Sequence, residues 1–254
     1  MFVNNIDPIA FEFLSFQIRW YSLAYIFGFL IGWFYIKNFL VKDLREKILI
    51  DDFISYLILG VIIGGRLGYV IFYNFFYYLS HPFEIFFIWQ GGMSFHGGLL
   101  GVCLATYIFT QKHNLSFFRF TDLVSLTAPI GIFLGRVANF INSELYGRET
   151  DFIFSVNFNK VDNLFRHPSQ LYESFFEGIV LFIILNFLWK KFSEVPGVIS
   201  SLFLIFYSLF RFIIEFTREP DSHLGFLMNI FTYGQMLSIA FFISGVIIFK
   251  LVKK

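Results

Sequence analysis

Apolar residues form long stretches along this chain, and short polar connections separate them. A helix that crosses a bilayer needs about 20 mainly apolar residues. The sequence predicts about seven such helices, at residues 20–40, 53–77, 95–110, 123–141, 171–189, 198–214 and 227–249. The pattern therefore favours an all-α integral membrane protein, with residues 1–254 in a single polytopic domain.

Basic residues predict the orientation, because cytoplasmic connections of membrane proteins carry an excess of lysine and arginine. Alternate connections and the tail hold Lys37, Lys42, Arg45, Lys47, Lys112, Arg119, Lys190, Lys191, Lys250, Lys253 and Lys254. Residues 79–94 contain neither lysine nor arginine. The N-terminus is therefore predicted outside the cell and the C-terminus in the cytoplasm, with residues 142–170 forming a small outer arm.

The composition excludes several other classes of protein. Hydrophobic residues make up 57% of the chain and charged residues only 15%, whereas soluble domains carry about 25% charged residues. A net charge of +1 provides no basic surface for nucleic acid. Cys103 is the only cysteine, so an internal disulfide and a cysteine-based metal cluster are both impossible.

Ionisable residues inside apolar stretches are costly, so each is a candidate functional residue. Arg66 lies near the middle of the second stretch. It either has a functional role or pairs with a carboxylate that holds helices together. The glycines around it form a small-residue face suited to close helix contact. These glycines are Gly60, Gly64, Gly65 and Gly68.

His96 lies at the start of the third stretch, beside glycines that allow a ligand to approach closely. Histidine is the side chain best able to exchange protons near neutral pH. His96 is therefore a candidate proton-transfer residue. The alternative is a histidine with a structural role at the beginning of a helix.

A dense polar motif leaves the fourth stretch on the predicted outer side. Arg136 and Asn139 are three residues apart and share a helix face. Glu144 and Arg148 follow, beyond the predicted end of the helix. A guanidinium at this place can bind a phosphate through two parallel hydrogen bonds. The alternative is a set of interfacial side chains that reach toward the membrane surface.

A second polar motif leaves the sixth stretch on the same side. Tyr207, Arg211 and Glu215 follow one another at intervals of four residues, so one helical stripe carries all three. The alternative is a ladder of ion pairs within one helix. Because Arg136 and Arg211 fall near the outer ends of their spans, as His96 does, the pattern predicts a site for an anionic lipid head group.

Two further features favour structural roles. Trp20 and Tyr21 stand at the outer start of the first span, where aromatic residues anchor helices at the membrane surface. Ser169 and Gln170 precede the fifth span and are candidate helix caps, with Pro168 as a start signal.

The motifs together resemble those of the bacterial phosphatidylglycerol–prolipoprotein diacylglyceryl transferases. The closest match is GRVANFINSELYGR at residues 135–148, which is similar to the family signature G-R-x-[GA]-N-F-x-N-x-E-x-x-G. Five more motifs occur in the family's order: RWYSLAY (19–25), GGRLGYVIFYN (64–74), GGMSFHGGLLG (91–101), RHPSQLYE (166–173) and FRFIIEFTREPD (210–221). The resemblance covers nearly the whole chain.

The resemblance implies an activity in the bacterial inner membrane, with an active site toward its outer leaflet. Such an enzyme moves the diacylglyceryl group of phosphatidylglycerol to the lipobox cysteine of a preprolipoprotein. A thioether forms and glycerol 1-phosphate leaves. The partners are this lipid, the lipobox peptide and membrane lipids, without nucleic acid, metal or organic cofactor. The acceptor thiol belongs to the other protein, so it is not that of Cys103.

The resemblance also implies roles for individual residues. Arg136 would hold the lipid phosphate, Arg211 would be the second cation, and His96 would take the thiol proton or position the reacting groups. Further matching positions, expected to bind substrate, are Tyr21, Arg66, Asn139, Glu144, Gly147, Tyr207 and Glu215. The connection 148–166 is short for the family, which leaves peptide docking less well defined than the lipid site.

Two other functions fit parts of the pattern. A transporter or flippase for an anionic metabolite would also use intramembrane arginines and glycine-broken helices, although the sequence lacks the inverted repeat expected of one. A different phospholipid-dependent transferase would use the same lipid site with another acceptor.

Overall fold

The computed structural model describes residues 2–13, 16–220, 226–227 and 231–253. Its α-helices are α1 (Trp20–Tyr35), α2 (Leu44–Tyr73), α3 (Phe75–Ser80), α4 (Phe95–His113), α5 (Phe117–Asn142), α6 (Ser169–Glu173), α7 (Leu181–Phe192), α8 (Val198–Ile214) and α9 (Tyr233–Val252). Wider π-helical turns at Ile36–Leu40 and Ser174–Val180 continue α1 and join α6 to α7. Two short 3-10 turns, Pro82–Phe86 and Ile88–Gln90, lie between α3 and α4.

Several helices are long and apolar enough to cross a membrane, as the sequence pattern predicts for a multi-pass membrane protein. Among the described residues there are five, Trp20–Leu40, Leu44–Tyr73, Phe117–Asn142, Ser169–Phe192 and Tyr233–Val252, and α8 is a shorter apolar helix. The third predicted span coincides with α4, which has 19 residues but a more polar sequence. The number of seven spans stays a prediction.

Capping side chains set the helix ends that hydropathy placed wrongly. The second span was predicted to begin at residue 53, but α2 begins at Leu44, because the Asp43 carboxylate accepts a hydrogen bond from the Glu46 amide at 3.0 Å. Polar residues can thus occupy the first turns of a helix whose later part is apolar.

The predicted start of the last span at residue 227 is also wrong. Helix α9 begins at Tyr233, where Thr232 and Gln235 form a capping box. The Thr232 hydroxyl accepts from the Gln235 amide at 3.2 Å, and the Gln235 side chain accepts from the Thr232 amide at 3.1 Å. Residues 228–230 of the predicted span lie outside the described residues.

The chain is mostly helical, but short strands accompany the helices, and the apolar pattern does not predict them. In the described part of the chain these are β1 (Phe2–Val3), β2 (Ile9–Phe13), β3 (Phe16–Arg19), β4 (Val156–Asn157), β5 (Phe165–Arg166), β6 (Phe226–Leu227) and β7 (Phe231–Thr232). Strand β4 lies between β1 and β5, whereas β2 pairs with β3 and β6 with β7.

The predicted outer arm contains β4 and β5 and has a small apolar core. Phe140 at the end of α5 packs with Val156 and Phe158 of the arm. The buried Asn4 side chain donates to the Phe140 carbonyl at 2.6 Å, and the Asn4 amide donates to the Asn157 carbonyl at 2.8 Å. The arm is therefore fixed to the end of α5 by the N-terminal strand.

Two compact units make up the chain, residues 1–34 with 122–254 and residues 35–121. In the first unit, a buried carboxylate caps the N-terminal end of α8. The Asp122 carboxylate accepts hydrogen bonds from the Gly197 and Ser200 amides, each at 2.7 Å. Asp122 comes from α5, so a side chain distant in sequence satisfies the first amides of α8.

In the second unit, α2 and α4 pack backbone to backbone along the predicted glycine face. A Cβ atom on Gly97 would lie 2.3 Å from the Gly64 carbonyl oxygen, and one on Gly101 would lie 2.0 Å from the Gly60 carbonyl oxygen. These distances leave no room for a methyl group. The prediction that these glycines allow close helix contact is confirmed.

Replacing Gly101 by alanine is therefore expected to destabilise the protein. The new methyl group would force α2 and α4 apart, and overpacking of this kind costs about 1–3 kcal/mol. Thermal unfolding of the detergent-solubilised protein measures the change. Gly98→Ala is the matched control on the same helix, because its Cβ would lie 3.9 Å from the nearest atom, the Val61 carbonyl oxygen. An equal loss of stability in the two variants would contradict the close-contact explanation.

Candidate functional site

Arg136 and Arg211, predicted as a pair of cations, meet at one buried carboxylate. The Arg136 Nε atom lies 2.9 Å from Glu173 Oε2, and Arg211 Nη1 donates to Glu173 Oε1. Glu173 is fully buried in α6, whereas the two arginine side chains keep partial exposure. Two guanidinium groups from α5 and α8 therefore share one counter-ion on a third helix.

Arg211 also pairs with the carboxylate of Glu215, four residues on and directly after the end of α8. Its Nη2 atom lies 2.6 Å from Glu215 Oε2. Glu215 Oε1 accepts a hydrogen bond from the Thr232 hydroxyl at 2.8 Å. A Cβ atom on Gly234 would lie 2.5 Å from the same oxygen, so only glycine fits beside the carboxylate. Of the predicted ion-pair ladder within one helix, the pair Arg211–Glu215 is present, whereas Arg218 pairs with Glu173 on another helix, as Arg211 also does.

Arg136 differs from Arg211 in which of its nitrogens are engaged. Both terminal nitrogens of Arg211 contact carboxylates. Arg136 uses Nε for Glu173, and its terminal nitrogens donate no hydrogen bond within the part of the chain that the structure describes. Its side chain is 19% exposed. Arg136 therefore keeps its two terminal nitrogens, the parallel donors that a phosphate needs.

Two more ionisable groups complete the ionic cluster. Arg218 Nη1 lies 3.5 Å from Glu173 Oε1. Glu177, in the π-helical turn after α6, is fully buried and interacts electrostatically with Glu173, Arg136, Arg211 and Arg218. We name Arg136, Arg211, Arg218, Glu173, Glu177 and Glu215 the arginine–glutamate cluster. Tyr207 interacts electrostatically with its members.

The loop after α5 is held by side chains from α5 and α6. The Asn139 amide group donates to the Glu144 carboxylate at 3.2 Å, and the Gln170 side chain donates to the Glu144 carbonyl at 2.6 Å. The Ser169 hydroxyl donates to the Leu145 carbonyl at 2.9 Å. The prediction that Ser169 and Gln170 cap the fifth span is wrong, because their side chains bind this loop rather than the helix amides.

Gly147, in the loop after α5, packs against two other segments of the chain, one before α6 and one after α8. Its amide donates to the His167 carbonyl at 2.9 Å, and a Cβ atom there would lie 2.4 Å from that carbonyl and 2.6 Å from the Thr217 carbonyl. A side chain is excluded at this position. Gly147 therefore brings the segment that follows α8 against the start of α6, next to the arginine–glutamate cluster.

The arm side of this region is also ionic. Arg166 Nη2 lies 2.7 Å from Asp162 Oδ2, and the hydrogen bond from Arg166 lowers the pKa of the Asp162 carboxyl. The guanidinium stands over the Tyr146 ring, 4.9 Å from its centroid. Burial lowers the pKa of the neighbouring His167 imidazole. Asp221, the last residue of the predicted polar motif, lies outside the described residues.

Tyr21, predicted with Trp20 as a membrane anchor and by the resemblance as a substrate-binding residue, interacts electrostatically with the arginine–glutamate cluster. Its hydroxyl lies 3.4 Å from that of Tyr25, and the ring interacts electrostatically with Glu144 and Arg136. Tyr21 is 37% exposed. Tyr21 is therefore a partly exposed side chain within electrostatic range of Arg136.

His96 and Arg66 belong to the second unit, residues 35–121. His96 is exposed in the first turn of α4 and makes no hydrogen bond within the described residues. The Ser94 hydroxyl accepts from the Gly97 amide at 3.2 Å, and the Ser94 amide donates to the Gly65 carbonyl at 2.8 Å. The backbone that carries His96 is thus fixed, while its imidazole stays available.

Arg66 organises the loop before α4. It is buried and donates to the carbonyls of Glu84 at 2.6 Å, Ile85 at 2.8 Å, Gly91 at 2.5 Å and Gly92 at 3.2 Å. These contacts support the structural alternative for Arg66, although its partners are main-chain carbonyls rather than a carboxylate. Substrate binding by Arg66 stays a prediction without a contact that favours it.

Glu173 and Glu177 were not among the predicted site residues. Both lie near the start of the fifth span, in and just after a motif for which the sequence suggested mainly structural roles. Their charge inside an apolar stretch was the available signal. A buried carboxylate next to predicted cations on other helices is the partner that those cations require.

Several apolar helices long enough to cross a membrane, with a buried ionic cluster near their ends, indicate a multi-pass membrane protein with a polar site. The chain matches the family described as prolipoprotein diacylglyceryl transferase over residues 8–251. It therefore belongs to this family of transferases, as its motifs predicted.

Several curated relatives agree with the family assignment. The chain is 48% identical over 249 residues to the phosphatidylglycerol–prolipoprotein diacylglyceryl transferase of Rickettsia typhi, covering 96% of each chain. It is 49% identical over 247 residues to the protein of that name from Rickettsia bellii, covering 95% of this chain and 94% of the relative. The one from Rickettsia canadensis is 48% identical over 250 residues, covering 96% of each.

Proposed function

We propose that this protein transfers the diacylglyceryl group of phosphatidylglycerol to the lipobox cysteine of preprolipoproteins. The single observation that carries the proposal is the convergence of Arg136 and Arg211 on Glu173, with the terminal nitrogens of Arg136 left for an anion. The names of the relatives state the same two substrates. The protein acts in the bacterial inner membrane, through seven spans with the N-terminus outside.

The reaction joins the cysteine sulfur to a glyceryl carbon. The bond between this carbon and the phosphate oxygen breaks, its electron pair stays on the oxygen, and glycerol 1-phosphate leaves. Arg136 binds the phosphate and stabilises the charge that develops on it, and Arg211 adds to the positive potential. This displacement requires neither a metal nor an organic cofactor.

Other residues of the first unit shape the place where the lipid binds. Tyr21 and Tyr207 both interact electrostatically with Arg136. Asn139 and Gly147 hold the loop that carries Glu144, and Glu215 orients Arg211. Tyr21 and Glu144 are therefore proposed to contact substrate, and the others to position the groups that do.

His96 takes the proton from the attacking thiol. A free thiol has a pKa of about 8.5, so little of it is ionised at neutral pH. His96→Gln is expected to lower the transfer rate at neutral pH by about 10²-fold or more, because general base catalysis contributes on this order. The deficit should narrow as the pH approaches the thiol pKa. Rates measured across pH with one lipobox peptide test this, and a normal rate at neutral pH would favour a positioning role.

The activity is tested with purified protein, labelled phosphatidylglycerol and a lipobox peptide. The expected result is a peptide mass gain of one diacylglyceryl unit, together with release of glycerol 1-phosphate. A peptide with serine in place of the cysteine is the control and should gain nothing. Lipid binding without conversion would favour a transporter, and transfer to another acceptor would indicate a different phospholipid-dependent transferase.

A further inference from the structure

Glu177 is the carboxyl group of the arginine–glutamate cluster that accepts no hydrogen bond and forms no ion pair among the described residues. Its side chain is fully buried, and neither carboxyl oxygen accepts a hydrogen bond within the described residues. By contrast, Glu173 and Glu215 both pair with Arg211. A buried carboxylate without a donor is among the most costly groups in a protein.

The charges of the cluster explain why such a group can be retained. The described residues of the cluster contain three guanidinium groups and three carboxyl groups, so the full set of charges sums to zero. A phosphodiester bound at Arg136 adds one negative charge next to this cluster. With Glu177 ionised the sum becomes negative, whereas with Glu177 protonated the added charge is balanced. Charge balance matters because the low dielectric of the interior strengthens every unbalanced interaction.

From this we infer that the cluster binds the lipid phosphate only while Glu177 carries a proton. The inference rests on the proposed phosphate site at Arg136 and adds a proton requirement to it. Groups that face Glu177 are Arg136 of α5, Tyr207 and Arg211 of α8, Glu173 of α6 and Arg218 after α8. The guanidinium groups keep their charge throughout the neutral range, and Glu173 is held by three of them. Glu177 is therefore the group that is free to exchange a proton.

Calorimetric titration with short-chain phosphatidylglycerol tests this on the solubilised full-length protein. As the pH is raised from about 6 to about 9.5, the affinity of the wild type for phosphatidylglycerol should first stay constant. It should then fall by up to tenfold per pH unit. Glu177→Gln mimics the protonated acid, so its affinity for phosphatidylglycerol should equal that of the wild type at the lowest pH. It should keep this value up to the highest pH. Short-chain phosphatidylcholine, which is zwitterionic, controls for binding through acyl chains alone.

A matched variant and a second measurement complete the experiment. Glu194→Gln removes an exposed carboxylate after α7, and it should keep the pH dependence of the wild type. Titrations of the wild type in two buffers of different ionisation enthalpy count the protons taken up per lipid. The number of protons taken up per lipid should rise from zero toward one as the pH increases. This measurement uses only the wild type, so it does not depend on whether Glu177→Gln folds.

The outcomes separate this inference from the proposed function. A constant wild-type affinity with no proton uptake, or a pH dependence that persists in Glu177→Gln, overturns the role of Glu177 while leaving the phosphate site intact. Failure of the wild type to bind phosphatidylglycerol at every pH overturns the phosphate site, and the inference with it.

Discussion

Replacing Arg136 by alanine is expected to lower the rate of diacylglyceryl transfer by about 10²–10³-fold, because such losses follow removal of one group that stabilises developing negative charge. Arg136 is the cation whose terminal nitrogens donate no hydrogen bond among the described residues, while its Nε atom pairs with Glu173. The protein should still accumulate in the membrane, because Glu173 keeps its contacts to Arg211 and Arg218.

Arg136→Lys refines this expectation. Lysine keeps the positive charge but lacks the planar pair of donors. Arg136→Lys should therefore be more active than Arg136→Ala and less active than the wild type. Arg45→Ala is the control, since it removes an exposed arginine of the second unit. Transfer to a lipobox peptide and the amount of protein in isolated membranes are the two readouts. A normal transfer rate for Arg136→Ala would contradict the phosphate site.

Replacing Glu173 by alanine is expected to destabilise the protein by about 3–5 kcal/mol and to abolish transfer, because removing one partner of a buried ion pair leaves uncompensated charge. Without this carboxylate, three guanidinium groups would face one another with their shared counter-ion gone. The expected effect on stability is thus much larger than that of Arg136→Ala, although both variants lose activity.

Thermal unfolding of the solubilised protein measures this difference. The unfolding temperature of Glu173→Gln should lie between those of the wild type and Glu173→Ala. The amide oxygen can still accept hydrogen bonds, but it does not balance the charge of the guanidinium groups. Glu219→Gln is the control, because Glu219 is 46% exposed and lies 3.4 Å from Arg166, and surface pairs contribute only about 0–1 kcal/mol. An unfolding temperature for Glu173→Ala equal to that of the wild type would show that the cluster does not hold α5, α6 and α8 together.

Some of the site could be predicted because its signal is local. Arg136 and Arg211 are charges inside apolar stretches, and such charges stand out in any hydropathy pattern. The pair formed by Arg211 and Glu215 follows from a spacing of four residues on one helix. The close-contact face of α2 was likewise readable from its glycines, although the sequence did not show that α4 packs on it.

The counter-ion could not be predicted in the same way. Glu173 lies 38 residues from Arg211 on a different helix, and spacing along a chain carries no information about which helices become neighbours. The same limit explains the wrong roles for Ser169 and Gln170, whose partners are carbonyls of the loop after α5. It also explains Arg66, which binds carbonyls of a loop that hydropathy does not describe.

By itself the sequence determined the helical membrane class, the family and the two cations, because hydropathy, motif order and charge in apolar surroundings are properties of the chain. Tertiary structure decided that these cations share Glu173, that Glu177 is buried beside them with no hydrogen-bond donor among the described residues, and that short strands fasten the arm. The physical reason is that ion pairs and strand ladders join residues far apart in sequence, and only packing brings such residues within bonding distance.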